Sequence, residues 1–136
     1  MESEDEGKGT IFQPTKINWE HMISTGSTLL DLAICGKRMT WGGLPTGILV
    51  EIAGESSSGK TAILTEIAAR GQKKGGDVFF CDPEARLDKE YAEITGLNIR
   101  ERGHYEQPDT VTELFDFYKG WETDPEVPNV FAGDSL

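Results

Sequence analysis

Apolar positions along the chain follow two different spacings, which predict strands and helices in turn. Short runs of apolar and β-branched residues predict buried strands. Runs in which apolar residues recur three or four positions apart predict amphipathic helices. The predicted strands cover residues 47–53, 77–81, 103–107 and 129–134, and the predicted helices cover residues 28–34, 62–70, 88–94 and 111–121. This alternation predicts an α/β fold with a mostly parallel sheet flanked by helices.

Local signals at the ends of the predicted helices agree with the spacing. Asp88 is a suitable N-cap for the third helix, because its carboxylate can accept hydrogen bonds from free backbone N–H groups. The basic and glycine residues of segment 73–76 suit the end of the second helix. In the fourth helix, Leu114, Phe115 and Tyr118 are predicted to face the core.

A glycine-rich motif joins the first predicted strand to the second predicted helix, which is the setting in which this pattern binds a nucleotide phosphate. Its glycines let backbone N–H groups approach a phosphate closely, and the helix N-terminus adds free N–H groups and a positive dipole end. Lys60 would contact the outer phosphates, and the Thr61 hydroxyl would ligate Mg²⁺. A chance match is the alternative, at a rate on the order of one in a few hundred. The candidate phosphate-binding residues are Gly54, Glu55, Ser56, Ser57, Ser58, Gly59, Lys60 and Thr61.

Composition narrows the classes of protein to which the chain can belong. A length of 136 residues with 37% apolar residues suits one domain, and a net charge of −11 argues against a broad nucleic-acid-binding patch. Because no apolar run reaches membrane-spanning length and the N-terminus is acidic, we expect a cytoplasmic protein with no membrane partner. Cys35 and Cys81 lack metal-binding spacing, and Cys81 is expected to be a buried thiol. Residues 1–22 are predicted to be an acidic, disordered tail and lead-in to a domain over residues 23–136.

Two acids follow predicted strands and are candidates for chemistry on a nucleotide. Asp134 ends the last predicted strand and is a candidate Mg²⁺ carboxylate, and Glu84 lies beyond a separate strand and is a candidate base or water-positioning residue. The two acids are distant in sequence, but the carboxyl ends of parallel strands meet at one sheet edge, where ligands bind. The alternative is that each acid merely caps a strand.

Taken in order, these segments resemble the RecA family of recombinases. The resemblance runs from about residue 23 to residue 136 and is more specific than the glycine motif alone. It rests on the following sequences: Ile23-Ser24-Thr25-Gly26-Ser27, Gly43-Leu44-Pro45, Val50-Glu51-Ile52, Glu55-Ser56-Ser57-Ser58-Gly59-Lys60-Thr61, Asp82-Pro83-Glu84-Ala85-Arg86-Leu87-Asp88, Gln107-Pro108-Asp109-Thr110 and Asp134-Ser135.

The resemblance implies a fold and a role for each site residue. The fold would be a RecA-like ATPase core, incomplete at the C-terminus. Glu84 would be the catalytic carboxylate, Asp88 would contact the adenine amino group, and Tyr91 would stack near the base. Thr61 and Asp134 would hold Mg²⁺, with ATP as the nucleotide.

The same resemblance implies a DNA-dependent ATPase of homologous recombination and DNA repair, of which this chain is the ATP-binding N-terminal part. Single-stranded DNA would bind through the remaining C-terminal half, and the complete protein would form a homo-oligomeric filament. In the family another strand lies between the glycine-loop strand and the metal-site strand, so a gap is expected in the sheet, and the chain alone is expected to be inactive. The alternatives are a RadA-like or KaiC-like ATPase and a non-catalytic fragment that binds a full-length recombinase filament.

Overall fold

The computed structural model describes residues 17–36 and 42–135. Most of the predicted acidic tail therefore lies outside the described residues. The first described element is a strand, β1 (Asn18–Ile23), which crosses the boundary predicted at residue 22. None of the described helices is both long enough and apolar enough to cross a membrane.

A small antiparallel sheet was not predicted from the sequence. It pairs β1 with β2 (Leu44–Thr46), with Ile23 opposite Leu44 and an irregularity in register between Asn18 and Met22. Helix α1 (Thr28–Cys35) lies between the two strands in sequence. Neither strand is a run of apolar residues, because β1 contains polar residues and β2 contains a proline, so the apolar pattern did not predict them.

The main sheet is parallel, as predicted. It contains β3 (Val78–Cys81), β4 (His104–Glu106) and β5 (Val130–Gly133) in the order β4-β3-β5. One helix precedes β3 and two helices connect the three strands, in agreement with the predicted alternation. These are α2 (Lys60–Lys73), α3 (Lys89–Thr95) and α4 (Val111–Gly120).

Helix ends follow the local chemistry expected of them. The side chain of Ser27 caps α1, that of Asp88 caps α3 as predicted, and that of Thr110 caps α4, each by accepting a backbone hydrogen bond. Gly36 and Gly96 end α1 and α3 in the left-handed conformation, which glycine adopts with little strain.

The core lies on both faces of β3, whose four residues are all buried. On one face Val78 and Phe80 pack with Ile67 and Ala68 of α2. The second face carries the other core cluster, and Cys81 is fully buried there, as predicted. That cluster consists of Phe79, Cys81 and Leu114, with Phe117, Trp121 and Phe131 packed against it.

The strand predicted over residues 47–53 is wrong, because the segment forms no strand. Leu49 is 99% exposed, and only Ile52 in this segment packs against the core. A strand requires a neighbour to accept and donate its ladder hydrogen bonds. Within the described part of the chain, the three parallel strands leave β5 at the sheet edge and supply no partner for this segment.

The predicted inner face of α4 is partly wrong. Leu114 is buried, but Phe115 and Tyr118 are 51% and 56% exposed, and Phe117 packs on the sheet instead. The apolar side chains of α4 form one face that covers about half of the helix circumference, so their spacing alone did not determine which of them the sheet covers. The narrow sheet shields the side that carries Leu114, Phe117 and Trp121.

Candidate functional site

The glycine loop (residues 54–59) leads directly into the N-terminus of α2. Gly59 has φ 94° and precedes the first helical residue, a backbone conformation that disfavours other residue types. A Cβ atom on Gly54 would lie 2.7 Å from the Ser58 hydroxyl oxygen, so the loop is tightly curved there. Ser57 also has a positive φ of 62°. The loop therefore presents backbone and little side-chain bulk at a helix N-terminus, as a phosphate-binding loop requires.

Lys60 places its charge beside this loop. Its Nζ atom donates hydrogen bonds to the carbonyl oxygens of Gly54 and Glu55, at 2.8 and 2.6 Å. The side chain of Lys60 therefore reaches back from the start of α2 to the first two residues of the glycine loop. An anion held by the backbone N–H groups would meet this charge.

A hydrogen bond joins the glycine-loop helix to the end of β5. The Thr61 hydroxyl donates to Asp134 Oδ2 at 2.8 Å, and Asp134 is 7% exposed. The Asp134 backbone N–H donates to the Cys81 carbonyl oxygen at 2.9 Å, which holds the acid at the end of the sheet. The structure therefore brings together the two predicted metal residues.

This oxygen pair suits Mg²⁺, which takes hard oxygen ligands and usually keeps water and substrate phosphate oxygens as the rest of its shell. Within the described residues, no group of three or more His, Cys, Asp or Glu side chains could hold a metal by itself. Thr61 and Asp134 supply two oxygen atoms of the kind that Mg²⁺ takes as ligands.

Glu84 lies in a tight turn that follows β3. The Ala85 N–H donates to the Asp82 carbonyl oxygen at 3.1 Å, and Ala85 has φ 52°. The carboxylate of Glu84 pairs with Arg86 Nε at 2.5 Å. Because β3 and β5 are parallel neighbours, with Cys81 opposite Gly133, the turn and Asp134 both follow the carboxyl ends of the strands, on the same side of the domain.

Asp88 and Tyr91 lie at the start of α3. Asp88 Oδ1 accepts hydrogen bonds from the N–H groups of Glu90 and Tyr91, at 2.9 and 3.1 Å. The Tyr91 hydroxyl donates to Glu66 Oε1 of α2 at 3.4 Å. Burial raises the pKa of Tyr91, and the neighbouring Glu66 carboxylate raises it further. These contacts connect Tyr91 to the same helix that carries Lys60, and they show that Asp88 serves as a helix cap.

Two buried carboxylates near these elements were assigned no role from the sequence, although both belong to segments that resemble the RecA family. Asp31 of α1 accepts hydrogen bonds from the Ser24 and Thr25 hydroxyls at 2.5 and 2.6 Å, and from the Thr25 N–H at 2.8 Å. Burial raises the pKa of Asp31, but these hydrogen bonds outweigh burial and leave it below the ordinary value. Asp82 is fully buried where the Glu84 turn begins. The sequence signals for Asp82 were its position directly after an apolar strand and its place in the segment over residues 82–88 that resembles the RecA family.

Together these features define a class: an α/β domain in which a glycine loop precedes a helix and acids follow the carboxyl ends of adjacent parallel strands. Comparison with known proteins narrows this class. The sequence profile of the RecA N-terminal domain matches residues 3–119. The chain belongs to the RecA family, as its sequence motifs predicted.

Curated relatives cover most of this chain but little of their own length. Protein RecA of Phytoplasma mali is 42% identical over 112 residues, which is 81% of this chain and 31% of that protein. Protein RecA of Streptomyces venezuelae is 45% identical over 68% of this chain and 24% of that protein. Protein RecA of Gluconobacter oxydans is 46% identical over 68% of this chain and 26% of that protein. The chain thus spans less than a third of the length of these relatives.

Proposed function

We propose that this chain is the ATP-binding part of a DNA-dependent ATPase that acts in homologous recombination and DNA repair. The observation that carries the proposal is the 2.8 Å hydrogen bond between Thr61 and Asp134. It connects the helix after the glycine loop to the acid after β5, although the two residues are far apart in sequence. It brings a strand-end acid to the first turn of the helix after the glycine loop, which is where Mg²⁺ would lie beside a bound nucleotide.

The roles of the residues follow from their positions. The loop N–H groups and the N-terminus of α2 would hold the phosphates, and the Lys60 ammonium group would neutralise their outer charge. Thr61 and Asp134 would hold Mg²⁺, which would shield the negative charge between the phosphates. Glu84, at the same sheet edge, would orient or deprotonate the attacking water.

The base would lie against α3 in this proposal. Tyr91 offers an aromatic ring and is oriented through its hydroxyl by Glu66. Asp88 Oδ1 already accepts two backbone N–H groups, so the adenine amino group would donate to the remaining lone pairs of that carboxylate.

The partners of the complete protein are part of the same proposal. Strand exchange on single-stranded DNA and a homo-oligomeric filament would belong to a full-length recombinase located in the cytoplasm. A net charge of −11 favours a DNA-binding surface formed mainly outside this segment.

Nucleotide binding can be tested on the chain itself by calorimetric titration with Mg²⁺ and ATP. Lys60→Ala should weaken binding by about tenfold or more, because a hydrogen bond to a charged group contributes about 1.5–3 kcal/mol. Lys119→Ala is the matched control, since Lys119 is an exposed lysine of α4. Equal ATP affinity in the parent and in Lys60→Ala would refute the assignment.

A non-catalytic role as a fragment that binds a full-length recombinase filament is the second candidate. The apolar segment over residues 47–53, exposed and outside both sheets, favours it because such a surface suits association with another polypeptide. Adding the chain to an active recombinase should then inhibit strand exchange in proportion to its concentration. Leu49→Lys, which alters only the most exposed side chain of that segment, should reduce the inhibition. Inhibition that is unchanged by this substitution would argue against the segment as the contact.

A further inference from the structure

Asp82 is the most heavily hydrogen-bonded carboxylate of the turn that carries Glu84. It is fully buried. Its two oxygens accept hydrogen bonds from the N–H groups of Arg86 and Leu87, at 2.9 and 2.8 Å. A third hydrogen bond comes from the Tyr105 hydroxyl, at 2.8 Å. One carboxylate therefore fixes both ends of the turn and connects it to a neighbouring strand.

Tyr105 is the side chain that extends this arrangement to β4. Its ring stacks on that of Phe80, with centroids 6.4 Å apart. Its hydroxyl donates to Asp82 and accepts a hydrogen bond from Gln107 Nε2 at 3.1 Å. Burial raises the pKa of Tyr105, the Gln107 hydrogen bond lowers it, and Asp82 raises it again, so the net shift is upward. The hydroxyl therefore keeps its proton, and hence its role as donor to Asp82, at neutral pH.

The turn depends on these contacts because its own backbone is strained. Ala85, beside Glu84, has φ 52°, a conformation that costs free energy in a residue with a Cβ atom. Such a conformation persists only when the surrounding contacts hold it. The hydrogen bonds to Asp82 enclose residues 83–87, and the pairing of Glu84 with Arg86 lies inside the same turn.

We propose that Asp82 and Tyr105 form a positioning pair that fixes the turn over residues 83–87 and so sets the direction of the Glu84 carboxylate. Neither residue touches the nucleotide in this proposal; each acts through the turn. The inference rests on the proposed function for its catalytic meaning, because Glu84 is the residue placed for reaction. The hydrogen bonds from Arg86, Leu87 and Tyr105 to Asp82 are present in the structure whether or not the chain binds a nucleotide.

A purely structural role for the pair makes a different prediction. Strand β3 is held by ladders to both β4 and β5 and by apolar packing on two faces. Removing one hydroxyl should therefore leave β3 in place and loosen only the turn. If the hydroxyl mainly stabilised the fold, its loss would affect β3 and the turn alike.

The test compares Tyr105→Phe with Tyr118→Phe in the full chain by NMR hydrogen exchange. Both substitutions remove only a phenolic hydroxyl, and Tyr118 lies in α4, outside the Asp82 network. In Tyr105→Phe, exchange of the Arg86 and Leu87 amides should rise by about tenfold or more, because the carboxylate loses one of three donors. The Arg86 Nε–H signal should also lose protection as its pairing with Glu84 loosens. The Phe80 and Cys81 amides should keep their exchange rates.

Two results would overturn the pair as a positioning device. One is exchange in the turn that equals that of the parent and of Tyr118→Phe. The other is a uniform increase that includes Phe80 and Cys81, which would assign Tyr105 to fold stability alone. ATP affinity, measured on the same samples, should be unchanged by Tyr105→Phe. Failure of the parent to bind ATP would refute the proposed function, whereas the exchange pattern decides the positioning pair independently.

Discussion

Thr61→Val is the most informative single substitution, because it removes the hydroxyl that joins the glycine-loop helix to β5 and changes little else. The lost hydrogen bond is 2.8 Å long and ends on a carboxylate that is 7% exposed. Hydrogen bonds to charged groups contribute about 1.5–3 kcal/mol. Thr61 itself is half-buried, so water can replace part of the lost donor, and we expect the lower end, about 1.5 kcal/mol.

Two measurements follow from this magnitude. For urea slopes of about 1–3 kcal/mol per molar, the unfolding midpoint should fall by about 0.5–1.5 M. In ATP titrations, the tightening produced by Mg²⁺ should shrink by about tenfold or more, since groups that orient or supply metal ligands typically contribute that much. Thr61→Ser keeps the hydroxyl and should restore both properties.

Thr65→Val is the matched control, one helical turn further along α2. Its hydroxyl donates to the neutral Thr61 carbonyl oxygen at 2.7 Å, so its loss should lower stability by about 0.5–1.5 kcal/mol. It should leave the Mg²⁺ dependence intact. If Thr61→Val and Thr65→Val showed the same Mg²⁺ dependence as the parent, the metal role of Thr61 would be refuted.

Three further predictions concern catalysis, pH and packing. In a full-length recombinase that carries this segment, Glu84→Gln should retain ATP binding and lose most turnover in a steady-state ATPase assay, because an amide cannot accept the proton; turnover near that of the parent would assign the water to another residue. The pKa of Asp31 is lowered from 3.8 in the folded state, so the stability that its carboxylate contributes is present above that pH and is lost as the pH falls through the folded-state pKa. In Asp31→Asn, the urea midpoint should therefore fall less steeply as the pH is lowered. An acid dependence equal to that of the parent would contradict this. Gly76→Ala would place a Cβ atom 1.9 Å from the Pro128 carbonyl oxygen and should cost about 1–3 kcal/mol or more in urea unfolding, whereas Gly120→Ala, with no atom within 4 Å of the new Cβ, should cost little.

The sequence was most informative where local pattern and tertiary packing agree. The apolar run that ends at Cys81 predicted a buried strand, and β3 is buried on both faces. The rule that parallel strands end at one edge predicted the shared location of Glu84 and Asp134, which the pairing of β3 with β5 confirms. The match of Asp88 to a helix cap was likewise a purely local inference and is confirmed.

The failures came from information that is not local. Whether residues 47–53 form a strand depends on a neighbour, and none lies beside them in the described part of the chain. The part of α4 that is buried depends on the width of the sheet, which leaves Phe115 and Tyr118 about half exposed, with Tyr118 in edge contact with Phe131. The pairing of β1 with β2 joins two segments separated by a helix, so neither strand carried a strong signal by itself. The roles of Glu84, Asp88, Tyr91 and the loop residues stay predictions until binding and turnover are measured.

The exposed segment over residues 47–53 and the side of β5 that has no neighbouring strand among the described residues also affect how molecules of this chain associate in solution. The unpaired backbone N–H and C=O groups along β5 and the exposed side chain of Leu49 are surfaces to which a second molecule can bind. A net charge of −11 opposes such encounters through mutual repulsion. Salt at 0.1 M limits that repulsion to about 10 Å. Colloidal stability should therefore decline as ionic strength rises, and the chain should be purified and stored at low salt.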